Sequence, residues 1–375
     1  MKFNWKNSFF LLALSVSFFS CDEGTKEVVF PTLEVPTSYE SANYESNAST
    51  ELSLRSHLSA LVSKMQVGRT GSKVNETELV ALFNAGNPSL KSITTPYYSE
   101  KVANWLNELT KASGGTFNPT TAPAGNGGVY GGYLFDENGL EMEQIVEKGL
   151  FGAALYNHAL TIIKSTAITA NDIDRLVAIF GAHPSFPNSD AAIQNKDVFS
   201  AKYAARRDKN DGKGLYTSIK TNLITAKAAI EKGKDYNQDR DKALSDFRYN
   251  WEKSNMATVI NYLSFTISKL NKSNATDADK AAALHAYGEA VGLMHGWKGI
   301  SQNDKSISDA QVDQFLELMN APANGNATSY KFVTEPFNQL PKLQSVIDKL
   351  QQVYKFTEQD ITDFDYNWVS EQNRK

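Results

Sequence analysis

The stretch from Gly139 to Lys164 constrains the fold most strongly, because it predicts a long helix that is buried on several sides. It contains no proline, and its acids lie near the start while Lys164 closes it, which suits the helix dipole. Its middle, residues 149–155, is small and apolar nearly all round. Gly149 and Gly152 leave room for neighbouring helices. The segment is therefore expected to be the centre of the fold.

The rest of the chain predicts an all-α fold with long helices and irregular connections. From about Ser49 apolar residues recur at helical spacing, and no alternating strand pattern of useful length occurs. Residues 114–132 are rich in glycine and lack the lysine and Ser/Thr of a phosphate loop, so they predict a flexible loop. Helices are predicted at residues 77–84, 96–113, 139–164, 169–181, 197–207, 215–232, 236–272, 276–298, 308–320, 341–354 and 358–368.

Residues 1–20 have the pattern of a lipoprotein signal peptide. Lys2 and Lys6 precede an apolar run at residues 9–19, which is too short to cross a membrane. Cys21 follows directly and is the single cysteine of the chain. This position predicts lipid attachment at Cys21, and hence a mature chain that is tethered to a membrane and has no disulfide.

The remaining chain divides into a tether and a helical domain. Residues 21–48 hold prolines, acids and many small polar residues, whereas 49–375 carry the helical patterns, with a division into two bundles expected near 183–214. The formal net charge is −4, and loss of two lysines with the signal peptide makes it −6. An acidic chain without a basic run excludes nucleic acid as an expected partner.

Few residues are candidates for chemistry, and no catalytic residue is assigned. The five histidines form no HExxH motif, and GxSxG is absent. Glu252 lies on an apolar helical stripe, with Arg248 four residues before it as a candidate partner. His285 and Glu289 lie four apart on a second stripe, which is made of alanines and glycines.

Glu252, His285 and Glu289 have two interpretations if they meet between two helices. Two carboxylates and an imidazole suit a divalent metal or an iron ion. The alternative is a buried polar network that fixes the helix register, because buried carboxylates need partners. His158 shares a stripe with apolar residues and predicts a core histidine, and His295 points elsewhere on its helix than His285.

Three runs carry a resemblance to a known family: EKGLFGAALYNHAL, WEKSNMATVINYLSF and HAYGEAVGLMHGW. They resemble the DUF4856 lipoproteins of the Bacteroidetes, which are similar to the imelysins. The resemblance implies imelysin-like helical bundles. Imelysins carry a Gly-x-His-x-x-Glu motif linked to a proposed metal site. Its alignment here matches Gly149 but sets Phe151 and Ala154 on the His and Glu positions, so the metal site is not expected to carry over.

These observations leave three functions open. The first is an outer-membrane lipoprotein, facing the cell surface or the periplasm, that binds a ligand or partner. The resemblance implies a role in iron or haem acquisition, with outer-membrane transport proteins as candidate partners. The second is a metal-dependent hydrolase that uses Glu252, His285 and Glu289. The third is a structural subunit of an outer-membrane complex.

Overall fold

The computed structural model describes residues 31–191 and 194–375 of the chain. The signal peptide and the lipidation residue Cys21 lie outside the described residues. In the first half, short and medium helices flank a small hairpin. Their bounds are α1 Tyr44–Asn47, α2 Ser49–Gln66, α3 Glu76–Asn84, α4 Leu90–Ile93, α5 Pro96–Ala112, β1 Gly128–Tyr130, β2 Tyr133–Phe135, α6 Met142–Leu150, a π-helical segment Phe151–Tyr156, α7 Asn157–Ile163 and α8 Ala170–Phe180.

The second half contains the longest helices. Their bounds are α9 Phe199–Arg207, α10 Leu215–Lys232, α11 Asn237–Leu270, α12 Asp277–His295, α13 Asp309–Leu318, α14 Lys331–Thr334, α15 Pro336–Tyr354, α16 Glu358–Phe364 and α17 Trp368–Glu371. The predicted all-α class is confirmed. Within the described residues, none of these helices combines the length and apolar character that a bilayer span needs.

Local sequence signals set several of the helix starts. At α13, Gln311 N–H donates to the Ser308 side chain (3.2 Å), and Ser308 N–H donates to the Gln311 side chain (2.8 Å). This reciprocal capping box satisfies two N–H groups that have no partner within the helix. Helix α15 begins at Pro336 and not at the predicted 341, because proline at the first position fits a helix start. Pro341 lies inside the same helix.

The central helix runs through α6, the π segment and α7, from Met142 to Ile163, within the predicted 139–164. The π-helical geometry of Phe151–Tyr156 was not predicted from the sequence. The π turn frees backbone groups from the usual α pattern. The carbonyl of Ala153 accepts a hydrogen bond from the N–H of Thr95 (2.8 Å), just before α5. The wider turn thus ties two parts of the chain together.

A two-stranded hairpin begins within the predicted loop 114–132 and ends just beyond it, at Phe135. Strands β1 and β2 are antiparallel, with Val129 opposite Leu134 and Tyr130 opposite Tyr133. The two turn residues, Gly131 and Gly132, have φ values of 57° and 87°. Glycine adopts positive φ without steric cost, so a Gly-Gly pair fits a tight hairpin turn.

Leu33–Lys375 form one compact unit around one main hydrophobic core. Helices α10, α11, α12 and α6 pack in succession across this core. The indole rings of Trp251 and Trp297 are fully buried there, and both contact the ring of Tyr156 (centroids 5.3 and 4.6 Å away). The packing fixes the mutual position of α6 and α12, on which the polar residues lie.

Candidate functional site

The contact between α6 and α12 is close because glycines line it. A Cβ added to Gly296 would lie 2.8 Å from the Cα of Gly149, and one added to Gly292 would lie 3.0 Å from the Cβ of Lys148. Gly288 continues this line one turn earlier and faces α6 as well. The small-residue stripe predicted on α12 is therefore a tight helix–helix contact. Polar side chains next to it are forced to meet.

A group of charged side chains lies at this contact, and we call it the α6–α12 cluster: Arg69, Glu141, Glu143, Glu147, Lys148, His285 and Glu289. Nδ1 of His285 lies 2.6 Å from Oε2 of Glu141, and its Nε2 lies 3.7 Å from Oε2 of Glu289. The ring of Tyr133 stacks on the imidazole, with centroids 4.1 Å apart and 14° between the planes. The predicted pair His285 and Glu289 do meet.

Two cations complete the α6–α12 cluster. Arg69 lies 2.9 Å from a carboxylate oxygen of Glu141 and 2.6 Å from one of Glu143. Lys148, which is buried, lies 2.7 Å from Glu147 and 3.2 Å from Glu289. Each charged group therefore has at least one partner of opposite charge. Buried charges are tolerated when they are paired and hydrogen-bonded in this way.

The surroundings shift the pKa values of three side chains in the cluster: His285, Glu289 and Glu143. Burial opposes the charge on His285, but the hydrogen bond to Glu141 and the charges of Glu141 and Glu289 raise its pKa above the ordinary value. Burial would raise the pKa of Glu289, but Lys148 and His285 together lower it. Burial and the neighbouring Glu141 raise the pKa of Glu143 to about 7. The charged forms of His285 and Glu289 therefore stabilise each other.

Glu252 lies elsewhere, so the structure does not bring the three candidate residues together. Its carboxylate accepts hydrogen bonds from the N–H groups of Ser306 (2.7 Å) and Ile307 (2.8 Å) and from the hydroxyl of Tyr354 (2.7 Å). None of these groups belongs to the α6–α12 cluster. Across residues 31–191 and 194–375, no three His, Cys, Asp or Glu side chains are arranged to hold a metal ion. Glu252 instead fixes the loop before α13.

The expected pairing of Arg248 with Glu252 is also wrong. Nη1 of Arg248 lies 2.9 Å from one carboxylate oxygen of Asp304, and Nζ of Lys164 lies 2.5 Å from the other. The carboxylate of Glu252 is committed to backbone N–H groups, which need an acceptor once they are buried. Burial raises the pKa of Glu252, although its hydrogen bonds oppose the shift.

The motif positions on the central helix are packing positions. The hydroxyl of Tyr98 occupies the space next to Gly149 that a side chain would need. Phe151 is fully buried and contacts Phe199 edge to face, with ring centroids 5.7 Å apart. Ala154 is also fully buried. An aromatic ring and a methyl group supply no metal ligand, so this segment serves the core.

His158 is buried, as predicted for a core histidine, but it also has charged neighbours. Its Nε2 lies 2.8 Å from Oε1 of Glu51, and the same oxygen accepts from Nε of Arg175 at 3.1 Å. The three side chains link α2, α7 and α8. This second buried network has a structural role, and all of its contacts go to Oε1 of Glu51, while Oε2 is buried without a hydrogen-bond partner.

A cleft, which we call the α5 cleft, lies on another side of α6 and α12 and has a volume of about 350 Å³. Helix α5 lines one side with Lys101, Asn104, Trp105 and Glu108, and the rest of the lining comes from residues 136–138, loop 321–327, and side chains of α6 and α12 including Ile145 and His295. Ligand cavities in proteins are usually about 300–1,000 Å³, so the cleft suits a small molecule.

His295 and Trp105 form the aromatic part of the α5 cleft. Their ring centroids lie 5.3 Å apart at 71°, and Nε2 of His295 lies 2.8 Å from the hydroxyl of Tyr97. Burial lowers the pKa of His295 to about 3, with the charges of Lys101 and Lys298 acting in the same direction. The imidazole is therefore neutral. His295 faces the cleft and not the α6–α12 cluster, in agreement with its expected rotation from His285.

The α5 cleft was not predicted from the sequence. The available signal was Trp105, which lies beside Asn104 and is half-buried on an amphipathic helix. Residues 136–138 and 321–327 are irregular connections whose meeting point depends on tertiary packing. Comparisons of the chain with models of protein families, with curated proteins and with solved structures gave no match. The resemblance to the DUF4856 family stays a prediction.

Proposed function

We propose that this protein is a lipid-anchored protein of the outer membrane, facing the cell surface, that binds a ligand or partner in iron or haem acquisition. The anchor rests on the signal-peptide pattern and on Cys21. The role in iron or haem acquisition rests on the resemblance to the DUF4856 family, as do outer-membrane transport proteins as partners. The binding role rests on the α5 cleft.

One observation supports binding over catalysis. The charged groups of the α6–α12 cluster partner one another, with His285 held by Glu141 at 2.6 Å and Lys148 held between Glu147 and Glu289. A general acid or base must be able to reach a substrate proton. The α5 cleft, in contrast, presents a half-buried indole and several amide side chains to a space of about 350 Å³.

The hydrolase alternative has no geometric support, because Glu252 is engaged by the loop before α13 and not by His285 or Glu289. The structural-subunit alternative differs from the proposal in its use of the α5 cleft. A structural subunit has no need of a cleft that a small molecule can enter and leave.

The test uses the full chain purified in mild detergent. Intrinsic fluorescence and titration calorimetry would follow binding of haemin, ferric citrate and a pool of uncharged metabolites, first to the natural chain and then to Trp105→Phe. The proposal expects saturable binding that Trp105→Phe weakens, and higher expression under iron limitation. Trp368→Phe, on α17 and outside the cleft, is the matched control.

The anchor is tested separately with Cys21→Ser. This variant should be recovered in the soluble fraction, folded, whereas the natural chain stays with the membrane. Absence of binding for every probe, together with expression that ignores iron, would favour the structural subunit and end the proposal.

A further inference from the structure

The lining of the α5 cleft indicates the chemistry of its ligand. We propose that the cleft binds an uncharged, hydroxyl-rich molecule of one or two rings, of the saccharide class. This inference rests on the proposed binding function and assigns the cleft a ligand other than iron or haem. It comes from three properties of the lining: its aromatic surface, its amide groups and its balance of charge.

Trp105 supplies a fixed aromatic surface. Its ring contacts Tyr98, with centroids 4.9 Å apart at 60°, and His295 at 5.3 Å and 71°. Neither neighbour stacks parallel on the indole, and Trp105 is only half-buried. A sugar ring has one face rich in C–H groups, which packs on an aromatic ring while its hydroxyls point outward. Aromatic side chains of this kind give large contact area at low entropic cost.

Three amide side chains surround the cleft: Asn104, Asn138 and Asn326. Asn104 and Asn326 are exposed, and among the described residues their side-chain amides hydrogen-bond to no other protein group. Asn138 differs, because both its side chain and its backbone N–H (2.9 Å) interact with the carboxylate of Asp136. An amide offers both donors and an acceptor. A hydroxyl also donates and accepts, so amides and hydroxyls pair in either direction.

The charges of the cleft disfavour anions. Lys101 is its one lysine, and its Nζ donates to the carbonyl of Ala323 at 2.7 Å. His295 is neutral, and the carboxylates of Glu108 and Glu137 line the same space. Phosphates, ferric chelates and the propionates of haem would bring further negative charge without an arginine to receive it.

The charges do not select a cation either. Glu108 is paired with Lys111 at 2.8 Å, and the charge of Glu137 also acts on Lys111. Asp136 directs one carboxylate oxygen to the N–H groups of Asn138 and Leu140 (2.9 and 2.7 Å). The buried carboxylate of Asp136 is thus bound to backbone N–H groups. The amide side chains and the indole of Trp105 remain to contact the ligand. This combination fits a neutral polyol better than a charged one.

The experiment compares probes that share one ring and differ in charge. Glucose, N-acetylglucosamine and maltose are the neutral probes, glucosamine and glucose 6-phosphate are the charged counterparts, and haemin and ferric citrate represent iron ligands. Titration calorimetry on the full chain in detergent should show binding of at least one neutral sugar. Glucosamine and glucose 6-phosphate should bind at least about tenfold more weakly than that sugar, which corresponds to about 1.4 kcal/mol.

Variants then locate the binding. Asn104→Ala and Asn326→Ala, both at exposed positions, should each weaken sugar binding several-fold, and Trp105→Phe should do so as well. Asn274→Ala, an exposed asparagine far along the chain and outside the lining, should leave affinity unchanged. Circular dichroism verifies that each variant is folded.

The outcomes separate the two proposals. Tighter binding of glucose 6-phosphate, glucosamine, haemin or ferric citrate, weakened by Trp105→Phe, overturns the saccharide inference and leaves the proposed binding function intact. Binding of neutral sugar that none of the three cleft variants changes also overturns the inference, because the sugar then binds elsewhere. If none of the probes binds, the proposed binding function and the saccharide inference are both wrong.

Discussion

Gly152 lies directly against Gly296: a Cβ added to Gly152 would stand 2.8 Å from the carbonyl oxygen of Gly296. Because this neighbour is backbone, it cannot rotate away as a flexible side chain can. The π segment and the end of α12 therefore touch through two residues without side chains. This contact sets the distance between the two helices that carry the α6–α12 cluster.

The first prediction is that Gly152→Leu destabilises the protein by about 1–3 kcal/mol or more, because the added side chain overpacks a closed contact. Urea unfolding followed by circular dichroism measures the loss. Ala103→Leu, at an exposed position of α5, is the matched control and should change stability by less than about 0.5 kcal/mol. An unchanged midpoint for Gly152→Leu would show that this contact is not tight.

The second prediction concerns the buried pair of Lys148 and Glu289, whose charged atoms lie 3.2 Å apart. Lys148→Met should cost about 3–5 kcal/mol, because it leaves buried carboxylates without their cation. Glu289→Gln is the second single change. Lys148→Met combined with Glu289→Gln should cost less than the sum of the single changes, since no unpaired charge remains. Denaturant unfolding of the four proteins gives this coupling.

The control for that cycle is the exposed pair Lys242 and Asp246, four residues apart on α11. Its removal should cost no more than about 1 kcal/mol, as is usual for surface pairs. Strict additivity between Lys148 and Glu289 would mean that the buried pair does not act as a unit.

The third prediction is that Glu252→Ala destabilises without any change in metal content. The variant leaves the N–H groups of Ser306 and Ile307 without their acceptor, at a cost of about 1–3 kcal/mol each. Thermal unfolding measures the stability, and elemental analysis of the purified chain measures metal. Glu317→Ala, at an exposed position of α13, is the control. Loss of stoichiometric metal on Glu252→Ala would revive the metal-dependent hydrolase.

The fourth prediction concerns pH and Asp136, because burial raises its pKa from 3.8 to about 7. A raised pKa means that the folded state holds the proton more tightly than the unfolded state. The resulting stability is complete below about pH 3.8 and is lost as the pH rises to about 7. Asp136→Asn keeps an oxygen acceptor for the N–H groups of Asn138 and Leu140 and carries no charge.

Asp136→Asn should therefore match the natural chain at pH 3.5 to 4 and exceed its stability at pH 8, by up to a few kcal/mol at about 1.4 kcal/mol per pKa unit. Urea midpoints across this pH range provide the comparison. A difference between the two proteins that stays constant from pH 4 to pH 8 would contradict the raised pKa.

Much of the fold follows from local sequence signals. Helix α10 has the predicted bounds, and the capping box at Ser308 marks the start of α13. The β1–β2 hairpin was missed because its strands have three residues each, too few to show an alternating pattern. Its Gly-Gly turn was the available signal. Short elements of this kind are stabilised by what packs on them.

The candidate site was harder to predict. The spacing of residues along one helix shows which way a side chain faces, but it does not show which side chains from other helices lie against it. His285 and Glu289 are four apart on α12, so their meeting followed from helix geometry. Glu252 also faces inward, as expected, but its carboxylate accepts hydrogen bonds from two N–H groups of the loop before α13 and does not contact His285 or Glu289. Arg69 and Glu141 reach the cluster from distant parts of the chain. Periodicity within one helix contains no such information.

The π segment Phe151–Tyr156 has a consequence for aligning this chain with other sequences. A π turn arises where a helix holds one residue more than α geometry accommodates, and in an α-helix one residue corresponds to about 100° of rotation. A chain that lacked that residue would keep the same side chains in order but turn α7 relative to α6, and His158 would no longer point at Glu51. Gly149 thus lies before the change in helical phase, whereas Phe151 and Ala154 lie within it. The imelysin alignment of Gly149, Phe151 and Ala154 runs across this segment. Residues that such an alignment pairs in sequence are not thereby equivalent in space.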